Sequence, residues 1–316
     1  MTGLLFIFGL LSAFHLCVGG DDELCPPSSA IAPCDCDGEG INCMKAKDDA
    51  ELQKVFRSIP KPWAFRGVWI QITDMSQVPS YMFKDIEVQA FHLEVNRINK
   101  VSPNAFSGSE LSVRSISLFG NVLTTVPFED FKKLQFLATI NIARNNLDEI
   151  PAKAFQGMQR LTAVILAENR IRNIGEYAFS DCPNLQQIDL LHNRINILGP
   201  MAFAMTKHNP FLQINLANCS IASISPTAFN GAAPKLLHLA MNRLPYLEEA
   251  VFGPILQRTN NVAGVIDVSL NPFMCQGCNY LWMVINKNVL QYRLPGFRCM
   301  NGMKITDLTR TNIWCI

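Results

Sequence analysis

Residues 161–171 read LTAVILAENRI. Apolar side chains fill the first, fourth and sixth places (Leu161, Val164, Leu166), Asn169 holds the ninth, and Ile171 holds the eleventh. The alternation around Val164 and Leu166 is the mark of a short strand with one face turned inward. A strand this short cannot bury its apolar side alone, so the same spelling should recur elsewhere in the chain.

It does recur. Aligned on the ninth place, the chain gives Thr73, Asn96, Asn121, Asn145, Asn169, Asn193, Cys219, Asn242 and Asn271. The fourth and sixth places are Val68/Ile70, Phe91/Leu93, Ile116/Leu118, Ile140/Ile142, Val164/Leu166, Ile188/Leu190, Ile214/Leu216, Leu237/Leu239 and Ile266/Val268. The ninth places lie 23 to 26 residues apart, with 29 before the last. A second column keeps the same register. Ten residues after each ninth place stands a phenylalanine: Phe83, Phe106, Phe131, Phe155, Phe179, Phe203, Phe229 and Phe252. In the last coil the place holds Leu281, where a cap takes over. These rings should stack inside the convex side. The ninth-place amide should bond backbone groups of neighbouring coils that would otherwise be buried unpaired. Thr73 and Cys219 are small polar substitutes there, and Cys219 is expected to be a buried structural thiol.

Composition agrees with an exported solenoid. The 316 residues carry 27 basic and 26 acidic side chains, a net charge of +1. That argues against a nucleic-acid partner, which would need a basic stripe. Residues 1–20 look like a signal peptide, apolar from Leu4 to Val18, with Val18 and Gly20 small enough for cleavage after Gly20. The n-region has no Lys or Arg, and an N-terminal anchor helix is the competing reading. No later stretch is long enough to span a bilayer, and no hydrophobic tail follows Cys315. A soluble, secreted mature protein without a membrane partner is expected. Cys17 lies inside the leader; Cys25, Cys34, Cys36 and Cys43 cluster at one end, Cys275, Cys278, Cys299 and Cys315 at the other. In an exported chain two even clusters flanking an array read as disulfide caps, although four cysteines allow three pairings and spacing does not choose. A short helix is expected over 50–57, stopped by Pro60 and Pro62. The expected order is signal peptide over 1–20, Cys-rich cap over 21–64, about nine coils over 65–273, and Cys-rich cap over 274–316.

The Cys-x-Cys start, the LxxLxLxxNxL coils and the finish NPFMCQGCNYLWMV resemble secreted leucine-rich repeat proteins with flanking caps. The resemblance covers residues 25–316. It implies an α/β solenoid, with a curved parallel sheet on the concave face and short helices or turns on the convex face. It also implies pairs Cys25–Cys36, Cys34–Cys43, Cys275–Cys299 and Cys278–Cys315. The usual C-terminal cap has Cys-x-Cys, whereas two residues separate Cys275 and Cys278 here, which puts the local loop in question more than the pairing. Within this group the architecture is similar to arthropod accessory chains that accompany a small catalytic luciferase chain.

No enzyme is expected. His92 and His238 fall at the fifth place of coils roughly 25–30 Å apart, too far for one site. His192 has Asp189 and Arg194 beside it on its own coil, and no nucleophile motif accompanies any histidine. Cys275-x2-Cys278 with Cys299 and Cys315 has zinc-like spacing, but behind a leader disulfides are the expectation; a redox Cys-x-x-Cys lacks its strand–helix context. No cofactor or metal is expected.

The expected working surface is the concave sheet, a strip of ~40 Å suited to a protein. Its fifth-place column is Trp69, His92, Ser117, Asn141, Ile165, Asp189, Asn215, His238 and Asp267. Its seventh is Gln71, Glu94, Phe119, Ala143, Ala167, Leu191, Ala217, Ala240 and Ser269. Trp69, Phe119, Ile165 and Leu191 are the expected exposed apolar anchors, with His92, Glu94, Asn141, Asp189 and His238 beside them. The small residues of the seventh column should leave backbone approachable. Arg97, Arg144, Arg170, Arg194 and Arg243 line the ascending edge, either as a solvated rim or as docking anchors. Asn218-Cys219-Ser220 is a glycosylation sequon, and Cys182 is a free thiol or an intermolecular link. The chain is thus expected to be a non-catalytic binder in a hetero-oligomer, carrying or stabilising a small secreted partner such as a luciferase catalytic chain. A free-standing extracellular recognition, adhesion or defence protein is the alternative.

Overall fold

The computed structural model describes residues 25–59, 63–207 and 209–315. The leader, Pro60, Pro62 and His208 lie outside the described residues. One eleven-stranded sheet organises the rest. Its strands are β1 Asp35–Asp37, β2 Gly40–Asn42, β3 Trp63–Trp69, β4 Ile86–His92, β5 Ser115–Ser117, β6 Thr139–Asn141, β7 Ala163–Ile165, β8 Gln187–Asp189, β9 Gln213–Asn215, β10 Leu236–His238 and β11 Val265–Asp267. Sequence order is spatial order, and every pair is parallel except β1 with β2. The register aligns the fifth places: Trp69 opposite His92, His92 opposite Ser117, and so on to Asp267. The convex side is mostly turns, with two-residue parallel ladders such as Glu149–Ile150 beside Asn173–Ile174. Leucine-rich repeat coils of this kind form a parallel β-solenoid.

The helix expected over 50–57 is α1, Asp49–Ser58; the Asp48 side chain accepts from the Ala50 and Glu51 N–H groups and caps its start. Two further helices lie toward the C-terminus, α2 at Glu249–Arg258 between β10 and β11 and the longer α3 at Leu281–Arg293 after the last strand.

Two internal columns hold the coils together. The Asn169 amide donates to Ile142 O of the preceding coil at 2.9 Å and to its own Leu166 O at 3.0 Å, while its Oδ1 accepts from Leu147 N–H at 3.0 Å. Asn121, Asn145, Asn193 and Asn271 repeat this pattern. On the convex side the rings of Phe155, Phe179, Phe203 and Phe229 stack 5.3–5.5 Å apart and within 12° of parallel. Towards the N-terminus the stack loosens to 6.3 Å between Phe106 and Phe131. Leu281 does not continue the column. It is only partly buried, and the buried side chains of the cap are its neighbours Tyr280 and Trp282. Tyr280 donates its hydroxyl to Pro245 O and Trp282 its indole N–H to Leu247 O. A branched aliphatic at this point has no polar tip to fasten the cap to the last full coil, and the two aromatics do.

Disulfides join Cys25 to Cys36, Cys34 to Cys43, Cys275 to Cys299 and Cys278 to Cys315, the pairs that the resemblance implies. The Cys275–Cys278 loop takes its extra residue with left-handed backbone at Cys275 (φ 54°) and Gly277 (φ 90°). All four cysteines with zinc-like spacing are thereby consumed.

Among the described residues two thiols remain, Cys182 and Cys219, and both are buried. Burial pushes each up to about 11, so neither is a ready thiolate. Cys182 is therefore no exposed link between molecules: its thiol donates to Phe155 O, one coil back, at 2.9 Å. Cys219 donates to Leu190 O at 3.1 Å and has no amide oxygen to offer the Ile195 N–H, which stands where Leu147 and Ile171 meet an asparagine. Cys219→Asn should therefore complete the ladder, adding about 1 kcal/mol and raising Tm by roughly 2–4 °C. Calorimetry of glycan-free protein checks this, and a lowered Tm would mean the site is fitted to sulfur.

Candidate functional site

Every strand of the coils ends at the fifth place, and from β5 onward each spans only the third to fifth, which decides which side chains reach the concave surface. Beyond the fifth place the chain bends. At Asn141, Asp189, Asn215 and Asp267 the side-chain oxygen accepts from the N–H two residues on, at 3.0–3.1 Å. These four residues cap the bend, and Asn141 and Asp189 are correspondingly less available to a partner than their polarity suggests. The eighth place then adopts left-handed backbone in every coil, from Ile72 (φ 56°) and Val95 (φ 55°) through Arg144, Glu168, His192 and Asn218 to Met241 and Leu270.

The bend corrects the expected surface in three respects. The seventh-place residues Ala143, Ala167, Ala217 and Ala240 are buried rather than an approachable floor. The four apolar anchors Trp69, Phe119, Ile165 and Leu191 are half-buried, not exposed. Ser117 is buried outright. In exchange, the eighth-place row stands out as a rim, apolar at its ends, with Ile72 71% and Leu270 75% exposed. The third-place column, paired in the same register, brings exposed Gln187 and Gln213 to the concave face. Both sets were readable in principle: the third place alternates with the fourth as the fifth does, and the eighth precedes every ninth-place residue.

The most ordered group sits over β3–β5. The Trp69 indole lies across Gly67, where a Cβ would come within 2.4 Å of the ring, so only glycine leaves room beneath it. The His92 ring stacks on the indole at 5.3 Å and 1° from parallel. His92 Nδ1 lies 3.3 Å from Glu94 Oε1, and Gln71 donates to Glu94 Oε2 at 2.6 Å. Burial, the largest influence on Glu94, pushes its carboxyl up; hydrogen bonds from His92, Gln71 and Ser117 together outweigh it and hold the group below the ordinary carboxylate range. Glu94 thus stays ionised and fixes the His92 ring.

Elsewhere the pieces are simpler. The Arg144 guanidinium lies 5.3 Å over the Phe119 ring and donates to Glu168 at 3.0 Å, an exposed pair of small energetic weight. His238 Nδ1 is 3.7 Å from Asp267. His192 does not gather Asp189 and Arg194; its Nε2 meets Asn218 Nδ2, one coil on, at 2.6 Å. The sequon asparagine is thus half-buried on the rim with its amide engaged. Ile165 and Leu191 lie in the middle of the face without a polar cluster of their own. Among the described residues, no three His, Cys, Asp or Glu side chains are placed to hold a metal, and no helix is long and apolar enough to cross a membrane.

Comparison with known proteins agrees with this geometry. The family model for the leucine rich repeat matches residues 135–195 and 159–205. The chain is 29% identical over 127 residues to the oplophorus-luciferin 2-monooxygenase non-catalytic subunit of Oplophorus gracilirostris, covering 36% of this chain. The match spans 34% of that relative, about a third of its length. Among solved structures, a chain from the octameric complex of Latrophilin 3, Unc5D and FLRT2 superposes with a TM-score of 0.53 at 17% identity, over 92% of this chain and 100% of that one. Repeat spelling, asparagine ladder, sheet register and cap disulfides together make the chain a leucine-rich repeat solenoid closed by a disulfide-bonded cap at each end.

Proposed function

We propose that this chain is a secreted, non-catalytic accessory subunit whose concave face carries a small secreted protein partner. The observation behind the reading is the Trp69–His92 stack, held from below by Gly67 and from the side by Glu94. A half-buried, preorganised aromatic pair loses little side-chain entropy on contact, which is what an interface anchor requires. His92, Gln71 and the buried Ser117 all turn to the Glu94 carboxylate, which fixes the cluster as a rigid surface beneath a partner. The named relative is itself a non-catalytic subunit. Four disulfides fit an oxidising compartment, and the mature protein should begin at Asp21.

Native secretion fractionated under non-denaturing conditions should yield the chain with a stoichiometric companion, and Trp69→Ala should weaken that pair by about tenfold or more. A monomer that never carries a companion would sink the subunit reading. A companion held at full strength by Trp69→Ala would move the interface off the concave N-terminal end.

A further inference from the structure

The C-terminal cap carries a second surface that the concave reading leaves unused. Helix α3 buries Trp282, Met283 and Leu290 against the array. On its outer side Ile285, Val289 and Tyr292 are 67%, 59% and 74% exposed. Their spacing of four and three residues aligns them on one helical stripe, a second apolar face on a helix that needs only one for its own fold. At the Ile285 end the stripe opens into a cleft of about 630 Å³ between α3 and the start of α2, with Tyr246, Leu281 and Trp282 in its lining. Glu248 and Glu249 stand on its wall. Among the described residues neither carboxylate has a side-chain hydrogen bond or an ion pair. The cations of α3 are committed elsewhere: Lys287 donates to Thr306 O and Leu308 O, and Arg293 to Gly264 O and Thr259 Oγ1.

We propose that this face docks a basic amphipathic helix of a partner protein. From Ile285 to Tyr292 the stripe spans about 10 Å, two turns of the helix, and the cleft carries the apolar surface on past Ile285, which suits the apolar side of a two- to three-turn helix laid alongside it. The unpaired carboxylates select the sign of the partner's flanking charge: lysine or arginine beside its apolar stripe gains two ion pairs, whereas acidic helices and anionic lipid are repelled. The surface is separate from the concave face, so it does not depend on the function proposed above.

The full-length secreted protein should bind a fluorescent Leu/Lys amphipathic peptide and should not bind its Leu/Glu counterpart. The double variant Ile285→Ser/Tyr292→Ser should weaken binding by about tenfold or more. Glu248→Gln/Glu249→Gln should weaken it and flatten its salt dependence. Ile285, Tyr292 and Glu249 are exposed, and the half-buried Glu248 side chain makes no cap hydrogen bond to α2, so unchanged melting curves will show that the fold is intact. Trp69→Ala should leave peptide binding unaltered, which separates this result from any failure of the concave interface. Equal binding of the Leu/Glu peptide, or undiminished binding by either double variant, overturns the proposal. So does capture of phosphatidylcholine–phosphatidylserine vesicles through Ile285 and Tyr292, which would make the stripe a lipid-facing one.

Discussion

Phe179→Ala should destabilise the solenoid by about 3–5 kcal/mol. The ring is fully buried, with Phe155 at 5.4 Å on one side and Phe203 at 5.5 Å on the other, both nearly parallel. Removing it leaves a cavity in the tightest part of the stack, and neither neighbour can close it without leaving its own partner. The cost therefore includes lost transfer energy, the cavity and two ring contacts. Because each coil touches only its neighbours, the damage should be local before it is global. Hydrogen exchange should rise first on the convex turns around 155, 179 and 203, while the disulfide-bonded caps keep their protection. Phe136→Ala is the control. That ring is 36% exposed between Arg114 and Arg160, and its loss should change stability by no more than about 0.5 kcal/mol. A Phe179→Ala protein within about 1 kcal/mol of wild type would mean that the spine is ornament and the sheet carries the array.

Why was so much of the fold legible and so little of the surface? The period is visible because every coil meets the same two demands, an apolar column to bury and an asparagine to satisfy the turn. Any substitution there would expose a buried carbonyl or open a void, so Asn169 and Phe179 repeat almost unchanged. The surface obeys a subtler rule. Strict alternation carries the outward direction from the fifth place to the seventh, but the chain has already left the strand there. Asn141 and Asp189 look like solvent-facing polar residues in the sequence, yet each is occupied in turning the backbone. The bend, which the Ile165 coil makes without such a cap, tucks Ala143 and Ala167 inward and puts Arg144 and Glu168 on the rim. The Trp69–His92–Glu94 group was half legible: its members fall in the right columns, but the parallel stack depends on Gly67, whose importance comes from the indole above it.

The asparagine ladder leads to the sharpest test, Asn169→Asp. The two side chains have nearly the same shape, so packing is held constant while hydrogen-bond polarity changes. Oδ1 still accepts from Leu147 N–H, but an ionised carboxylate has nothing to donate to Ile142 O and Leu166 O at 2.9 and 3.0 Å. It is instead a buried negative charge facing two carbonyl dipoles. The neutral acid escapes part of this, since its proton can serve one carbonyl. Folding therefore favours the protonated form and raises the new carboxyl above its unfolded value of about 3.9. A raised folded value means that the folded state holds a proton which the unfolded state has released, so the variant loses stability as pH rises between the two. Relative to wild type, the deficit should be about 1 kcal/mol below pH ~3.5 and grow to about 3–5 kcal/mol at pH 7. Asn169→Ala separates charge from mere loss of partners. It abandons the same carbonyls and the Leu147 N–H at a cost of about 2–4 kcal/mol, with no dependence on pH. Denaturant titrations of the three proteins across this range give the difference directly. If the Asn169→Asp deficit is as flat with pH as that of Asn169→Ala, the carbonyls are hydrated and the ladder does not seal the turn.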